Sequence, residues 1–409
     1  MSARMRRSTR PVVAGRRTPR AVALAAAALV ALAGCTAPEA EPTSTTGPDA
    51  SAPAPEPAET PEPAPTETRI EVSAMGDMLP HQTILDGAET ADGWDFAQYF
   101  SDITPVLASS GMVACNLEAP VAGDQLGVSA YPAFDAPAAF ARDLVASGCS
   151  ALSTANNHAL DAGVAGLEIT ADVLDTLDVA WHGTARSAEE QLQPAIVEVD
   201  GVRIAFVSAT ALTNIAGPAT SLTMLSDSAV VEQLMATAEE QADVTIVAAH
   251  WGVEYAPTVH ESQRSAAAWL SSLGADVILG AHPHVLEPVE WVESDAGRTL
   301  VWYSLGNALS SQIDVPRVFS AIGRFDLVRD EATGDVSVED PRAIPIYMHF
   351  DWSVADREAG NLDTRTNPHL YLLEDAAEPL TRSAWQTSVD EQRAAIASVL
   401  GDEVRLIER

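Results

Sequence analysis

The chain has 409 residues, 47% hydrophobic and 20% charged, with 58 acidic residues against 23 basic ones and a formal net charge of −35. That length holds one large or two ordinary domains beside a tail. So negative a surface repels phosphate backbones, which excludes nucleic acid as a partner class.

Every basic residue is arginine, and seven of them precede residue 21. They sit in "MSARMRRSTRPVVAGRRTPR", followed by the apolar "AVALAAAALVALAG" and Cys35. A charged stretch before a short apolar one is a targeting segment rather than part of a fold, and the apolar run is too short for a comfortable membrane span. Its "LAGC" ending, residues 32–35, resembles the bacterial lipobox. The likeness implies cleavage after residue 34 and lipidation of Cys35, which would hold the protein on the outer face of the cell membrane. An ordinary secretory signal is the alternative, and the Arg pairs at 6–7 and 16–17 allow a twin-arginine route. Residues 35–68 are rich in Pro, Ala, Glu and Thr with little to bury, and are expected to be a disordered tether.

From residue 69 short β runs alternate with helical ones. "RIEVSAMGD" is expected as a strand, "DFAQYFSDITPVLASS" as a helix, "GMVACNLE" as a strand and "PAAFARDLVASG" as a helix. "CSALSTANN" and "VAWHGT" read as strands around the helix "GVAGLEITADVLDTLD". "PAIVEVDGVRIAFVSA" reads as a hairpin turning on Asp200-Gly201. Then come the helix "SAVVEQLMATAEEQA", the strand "DVTIVAAHWG", the helix "ESQRSAAAWLSSLG" and the strands "ADVILGAHPH" and "TLVWYSLGN". Such alternation predicts an α/β domain with parallel strands over 69–312. Residues 313–409 read as an extension of short strands and one terminal helix, completing or covering the core. Cys115 and Cys149 each sit in an expected strand. Counting from the motif that follows each, they should lie about 20 Å apart, beyond disulfide reach.

Chemistry gathers where these strands end. The first ends at Asp77, the next at Asn116 and Glu118, and the third at Asn156, Asn157 and His158 with Asp161 behind. Further on come His250 with Glu254, then His282 and His284, then Asn307. The carboxyl ends of strands are where open α/β sheets bind ligands. Oxygen donors mixed with imidazoles suit a divalent Zn, Mn or Fe site. Extended backbone through "HPH" would turn both imidazoles the same way, stiffened by Pro283.

The ordered series "GDMLPH", "NLEAPV", "ANNHALDAG", "HWGVEY", "GAHPHVLEPVE" and "YSLGN" resembles the signature of the CapA family, the poly-γ-glutamate capsule biosynthesis proteins. That family is similar in turn to calcineurin-like metallophosphoesterases. The resemblance implies a four-layer αββα sandwich of metallophosphoesterase type with a small β-rich C-terminal extension, and a centre of one or two divalent ions. It implies that Asp77 and His284 ligate a first ion, that Glu118 bridges, and that Asn157, His250 and His282 hold a second. His158 would protonate a leaving group, with Asn157 and Glu254 beside it. His81, Asn156, Asp161 and Asn307 are additional candidates. Two positions depart from the phosphoesterase pattern: Leu79 stands where the first motif has His, and Glu118 where the second has Asp.

The implied role is an extracytoplasmic lipoprotein in poly-γ-glutamate capsule or envelope-polymer biosynthesis or processing, acting as a metal-dependent hydrolase or transferase. A non-catalytic polymer-binding component of a synthesis or export assembly, and a metallophosphoesterase, remain as alternatives. The expected partners are an anionic polymer such as poly-γ-glutamate and membrane-bound synthase proteins. An anionic substrate calls for local arginines, with Arg142, Arg186 and Arg264 as candidates. His182, His260, His349 and His369 read as structural.

Overall fold

The computed structural model describes residues 66–409. The targeting segment, Cys35 and almost all of the tether lie outside the described residues. The chain enters along Glu67–Met78 (β1) and adds Met112–Leu117 (β2), Ala151–Ser153 (β3) and Ala180–His182 (β4) in parallel. A second sheet follows from Ala195–Val199 (β5), Val202–Thr210 (β6), Val244–His250 (β7), Val277–Ala281 (β8), Val289–Ser294 (β9) and Gly297–Trp302 (β10). The chain then returns to the first sheet with Asn307–Leu309 (β11), Phe319–Asp330 (β12), Val336–Asp351 (β13), Thr366–Leu372 (β14) and Arg405–Leu406 (β15). The first sheet runs β14-β13-β12-β1-β2-β3-β4, with β11 beside β1 and β15 beside β13. The second runs β9-β10-β8-β7-β6-β5. Both are mixed: the second has parallel strands at its centre and antiparallel ones at its edges, while the first is parallel from β1 to β4 and antiparallel from β1 to β14.

Side-chain alternation builds the layers. In the second sheet Ile204, Phe206, Ile246, Ala248, Val277, Leu279, Leu300 and Trp302 share one core with the first sheet's Ile70, Val72, Ala74 and Met112. Their neighbours Ala205, Val207, Val247, Ala249, Ile278 and Val301 point the other way. They pack on Val231, Leu234, Met235 and Ala238 of one helix and on Ala267 and Leu270 of another. Strands buried on both faces read as near-continuous apolar runs, and each large side chain removed from water contributes about 1.5–3 kcal/mol. The hairpin forms as its sequence implies, with Asp200 and Gly201 both at positive φ between β5 and β6. Residues 313–409 extend the first sheet, since β12 pairs with β1 along eight residues. Among the described residues no helix is long and apolar enough to cross a membrane.

Three expectations fail here. The run "DFAQYFSDITPVLASS" is not one helix but two short turns, Ala97–Phe100 and Thr104–Leu107. Cys115 and Cys149 form a disulfide with a Cα–Cα distance of 6.0 Å. The expected spacing aligned Asn116 with Asn156, but β2 pairs Asn116 with Ser153, so the strand ends are staggered by three residues. Cys149 also precedes β3 in a turn, where its N–H bonds back to Leu144, and so lies over Cys115 instead of extending away. The run "TLVWYSLGN" is likewise not one strand. It leaves the second sheet at Trp302 and joins the first at Asn307.

That crossover explains two glycines. A Cβ on Gly76 would lie 1.9 Å from the Gly306 carbonyl oxygen, and one on Gly280 would lie 1.9 Å from that of Tyr303. The crossover backbone therefore straps the ends of β1 and β8, through Asp77 N–H to Gly306 at 2.9 Å and Leu305 N–H to Gly280 at 3.2 Å. Only glycine admits so close an approach. The strap holds the two strand ends that carry Asp77 and His282 against each other.

Candidate metal centre

Each sheet delivers its own chemistry to one edge. From the first, β1 ends in Asp77 and β2 runs into Asn116 and Glu118. From the second, β7 ends in His250 and β8 runs into His282 and His284. Asp77, Glu118, His250, His282 and His284 are all buried. Their donor atoms form two sets, each within 4.8 Å: Asp77, Glu118 and His284, and Glu118, His250 and His282. Glu118 belongs to both.

Hydrogen bonds orient the carboxylates. Asn116 Nδ2 donates to Asp77 Oδ1 at 2.8 Å and to Glu118 Oε2 at 3.3 Å. The His282 backbone N–H donates to the Asp77 carboxylate at 3.2 and 3.3 Å, and His284 Nδ1 lies 2.9 Å from Asp77 Oδ2. Burial alone would raise the Asp77 carboxyl; the bond and charge of His284 outweigh it and hold the group below its ordinary range. Burial, reinforced by Asp77, pushes Glu118 well above its ordinary value. Burial, reinforced by His282, pushes His250 well below its own, and burial with His284 brings His282 down to about 4.

The presentation of the two histidines differs from the extended one expected. His282 has a φ of 98° and His284 of 60°. A left-handed turn, not strand alternation, brings their rings together. Such backbone costs a non-glycine residue about 1–3 kcal/mol and persists where its surroundings enforce it.

Asn157 joins the second set, its Oδ1 being 2.8 Å from His250 Nε2. Its neighbour His158 places Nδ1 2.6 Å from Asp161 Oδ2, and packs edge-on against Phe134 at 4.8 Å. Asn156 anchors the turn, donating to the Leu117 carbonyl at 2.8 Å and accepting the His158 N–H at 3.1 Å. Asn214 is an addition to the expected set. Its side chain lies 3.4 Å from Asn157 Nδ2 and 3.3 Å from His158 Nδ1, steadying both. It follows the carboxyl end of β6, at the same edge as the others, and that position was the available signal.

Three candidates stay outside the cluster. Glu254 is exposed, and only its charge reaches Glu118. His81 turns toward the Leu79 carbonyl at 3.3 Å and against Phe134 at 5.1 Å. It does not replace Leu79, which is buried with Ala119 and Phe134. Asn307 sits beside Asp77 in register, yet spends its amide N–H groups on Gln312 and the Arg317 carbonyl, both at 3.0 Å. The expected arginine cluster does not form: Arg142 pairs with Asp143, Arg186 with Asp172, Asp175 and Glu190, and Arg264 with Glu290. The other histidines have structural partners. His260 caps a helix, His182 accepts the Ser208 N–H, His349 bridges Tyr347 and Asp351, and His369 meets Asp102.

A divalent cation fits the donors present. Glu118 Oε1 and His282 Nδ1 are buried without a hydrogen-bond partner, whereas buried polar groups are ordinarily paired. His250 Nε2 and His284 Nε2 stand 3.6 and 3.9 Å from that same Glu118 oxygen. Imidazoles whose surroundings disfavour protonation and a carboxylate with an unused oxygen are ligand chemistry.

Two curated proteins are similar to this chain in sequence. The PGA biosynthesis protein CapA of Bacillus subtilis (strain 168) is 29% identical over 287 residues, covering 68% of this chain and 72% of that one. The capsule biosynthesis protein CapA of Bacillus anthracis is 26% identical over 284 residues, covering 66% of each. Among solved structures, the calcineurin-like phosphoesterase YfkN from Bacillus subtilis is 15% identical with a TM-score of 0.45, over 80% of this chain and 99% of that one. A phosphatase from Mycoplasma pneumoniae is 12% identical with a TM-score of 0.44, over 68% and 94%. The family model for the bacterial capsule synthesis protein PGA_cap matches residues 71–312, a span containing every ligand candidate from Asp77 to His284, and the chain belongs to that family.

Proposed function

We propose that this protein acts in poly-γ-glutamate capsule or related envelope-polymer biosynthesis, as a metal-dependent hydrolase or transferase tethered through Cys35 on the outer face of the membrane. The names of its relatives supply the polymer. The observation that supports the chemistry is Glu118, buried, shared by two ligand sets, with one oxygen free of any hydrogen bond. Asp77, Glu118 and His284 would hold one divalent ion, and Glu118, Asn157, His250 and His282 the other. Such ions supply Lewis acidity and lower the pKa of water.

The chain's own residues do the rest. Asn116 fixes the spacing of the two carboxylates. His158 is the proton donor to a leaving group, with Asp161 at 2.6 Å accepting the Nδ1–H and so directing Nε2–H to be transferred. Asn214 Oδ1 accepts from Asn157 Nδ2 and fixes that amide. Elemental analysis of the purified protein should find one to two divalent ions per chain. Incubation with poly-γ-glutamate should give turnover that falls by about 10²–10⁴-fold in His158→Ala. Loss of the ions with full retention of turnover would sink the reading.

One observation favours a second reading. With Leu79 apolar and His81 turned away, the Asp77 set has only three protein ligands. A polymer-binding component without turnover would show bound ions and polymer affinity but no product, with either poly-γ-glutamate or a phosphodiester.

A further inference from the structure

Two arginines in the described protein are buried, Arg324 and Arg365. Arg324 has its carboxylate, Glu71 at 3.3 Å. Arg365 forms no ion pair among the described residues. Its Nε donates to the Leu362 carbonyl at 2.9 Å, one Nη to the Ser311 carbonyl and the other to Thr83 Oγ1 at 3.1 Å. A guanidinium carries five N–H groups, so two remain. Leaving a cation buried without a paired counter-charge is costly. Here burial pulls the Arg365 guanidinium below its ordinary value, and only the charge of Asp363, which makes no ion pair with it, works the other way.

Arg365 lines a pocket of about 550 Å³ that His81, Thr83, Ser311, Tyr131 and Leu362 also border. The pocket adjoins the ligand cluster. His81 forms part of its wall and is near enough to Arg365, His284 and His158 to feel the charge of each. Tyr131 and Leu362 are among the few large apolar side chains left exposed, at 75% and 41%. The guanidinium also lies over the Phe350 and Trp352 rings, at 5.4 and 5.8 Å, but has no carboxylate; the pocket thus joins a cation without a counter-charge to an apolar wall, with His81 in its lining.

We infer that Arg365 is the anchor of a carboxylate-binding subsite that positions a free α-carboxylate of a γ-linked glutamyl substrate beside the metal centre. The inference rests on the proposed function for its location, and on Arg365 for its chemistry. Two free N–H groups on one planar fork match the two oxygens of a carboxylate. Tyr131 and Leu362 give the same pocket an apolar wall for the main-chain methylenes of such a polymer. Asp86 and Asp363 also border the pocket, with Asp86 holding the Gln82 amide at 2.6 Å. Their negative charge penalises a dianionic phosphate more than a single carboxylate. The three arginines expected from sequence are consumed by surface ion pairs; this one is kept unpaired by burial.

The test is binding of γ-linked triglutamate and of its methyl ester to the purified protein by calorimetry, with and without a chelator. The free acid should bind wild type at least tenfold more tightly than the ester, in both conditions. Arg365→Gln should abolish that preference and Arg365→Lys should restore part of it. Equal binding of acid and ester by wild type overturns the inference even if the variants fail to fold. A preference that vanishes with the chelator assigns it to the ions and also overturns it, leaving the metal reading intact. A protein that binds no ion yet keeps an Arg365-dependent preference upholds the subsite and removes the metal reading. Inorganic phosphate displacing triglutamate with equal affinity would make this a phosphate site and overturn the carboxylate assignment.

Discussion

The first sheet brings carboxylates and amides to the shared edge, and the second brings imidazoles. The two are held in opposite ways. Asp77 receives Asn116, the His282 N–H and His284, so the protein itself satisfies the carboxylate. On the imidazole side His250 Nδ1 and His282 Nδ1 have no hydrogen-bond partner, and His282 and His284 sit at positive φ. Asp77 is thus fully hydrogen-bonded, whereas Glu118 Oε1 and the two imidazole Nδ1 atoms are not, and only the imidazole side carries left-handed backbone. Deleting Asp77 leaves donors stranded, whereas deleting His282 removes an unpartnered ring along with its strained backbone.

The largest consequence falls on Asp77. Asp77→Ala takes the acceptor from the His282 N–H and His284 Nδ1 and leaves Asn116 Nδ2 only Glu118, at a cost of about 3–5 kcal/mol. His250→Ala breaks one strong bond, to Asn157, and should cost about half as much. Urea unfolding of both variants in chelator measures the difference. Equal losses would mean that the two halves are built alike.

A second effect belongs to the imidazole sheet. Glu287 follows His284, is fully buried, and has burial pushing its carboxyl up to about 7, against which Gln263 Nε2 at 2.6 Å works. A carboxyl that binds its proton more tightly folded than unfolded destabilises the fold as it ionises. Stability should therefore decline as pH rises from about 4.5 to about 7 and level off above, by roughly 2–3 kcal/mol from this group. Glu287→Gln keeps the shape and should flatten that decline. Unfolding series across this range, wild type against variant, isolate the contribution. An unchanged slope would show that the second sheet tolerates the buried charge, and so is not the poorly satisfied half.

These contrasts mark what sequence could and could not disclose. Apolar runs ending in Asp77, Glu118, His250 and His282 were legible because burial on both faces writes the strand, and the last residue of the strand writes the edge. The disulfide was not, because its geometry depends on the register of β2 against β3, and a stagger of three residues decides it. The crossover in "YSLGN" was hidden because a run that changes sheets keeps its apolar pattern. Asn214 offers only its place after β6, and Arg365 carries no local signature. One matters for what its loop reaches, the other for the carboxylate it lacks.

The smallest expected effect is the most discriminating. At an ordinary site glycine is less stable than alanine because it loses more backbone freedom on folding. At a φ of 98° the order should reverse, since alanine keeps the left-handed strain that glycine does not feel. His282→Gly and His282→Ala both delete the ring and its unpartnered Nδ1, and both should lower affinity for a divalent ion at least about tenfold. They should differ in chelator, with the glycine variant more stable by about 1 kcal/mol. Both variants lack the same imidazole and its bonds, so only the backbone separates them. If alanine proves the more stable, the turn through His282 carries no strain, and the imidazole half is as relaxed as the carboxylate half.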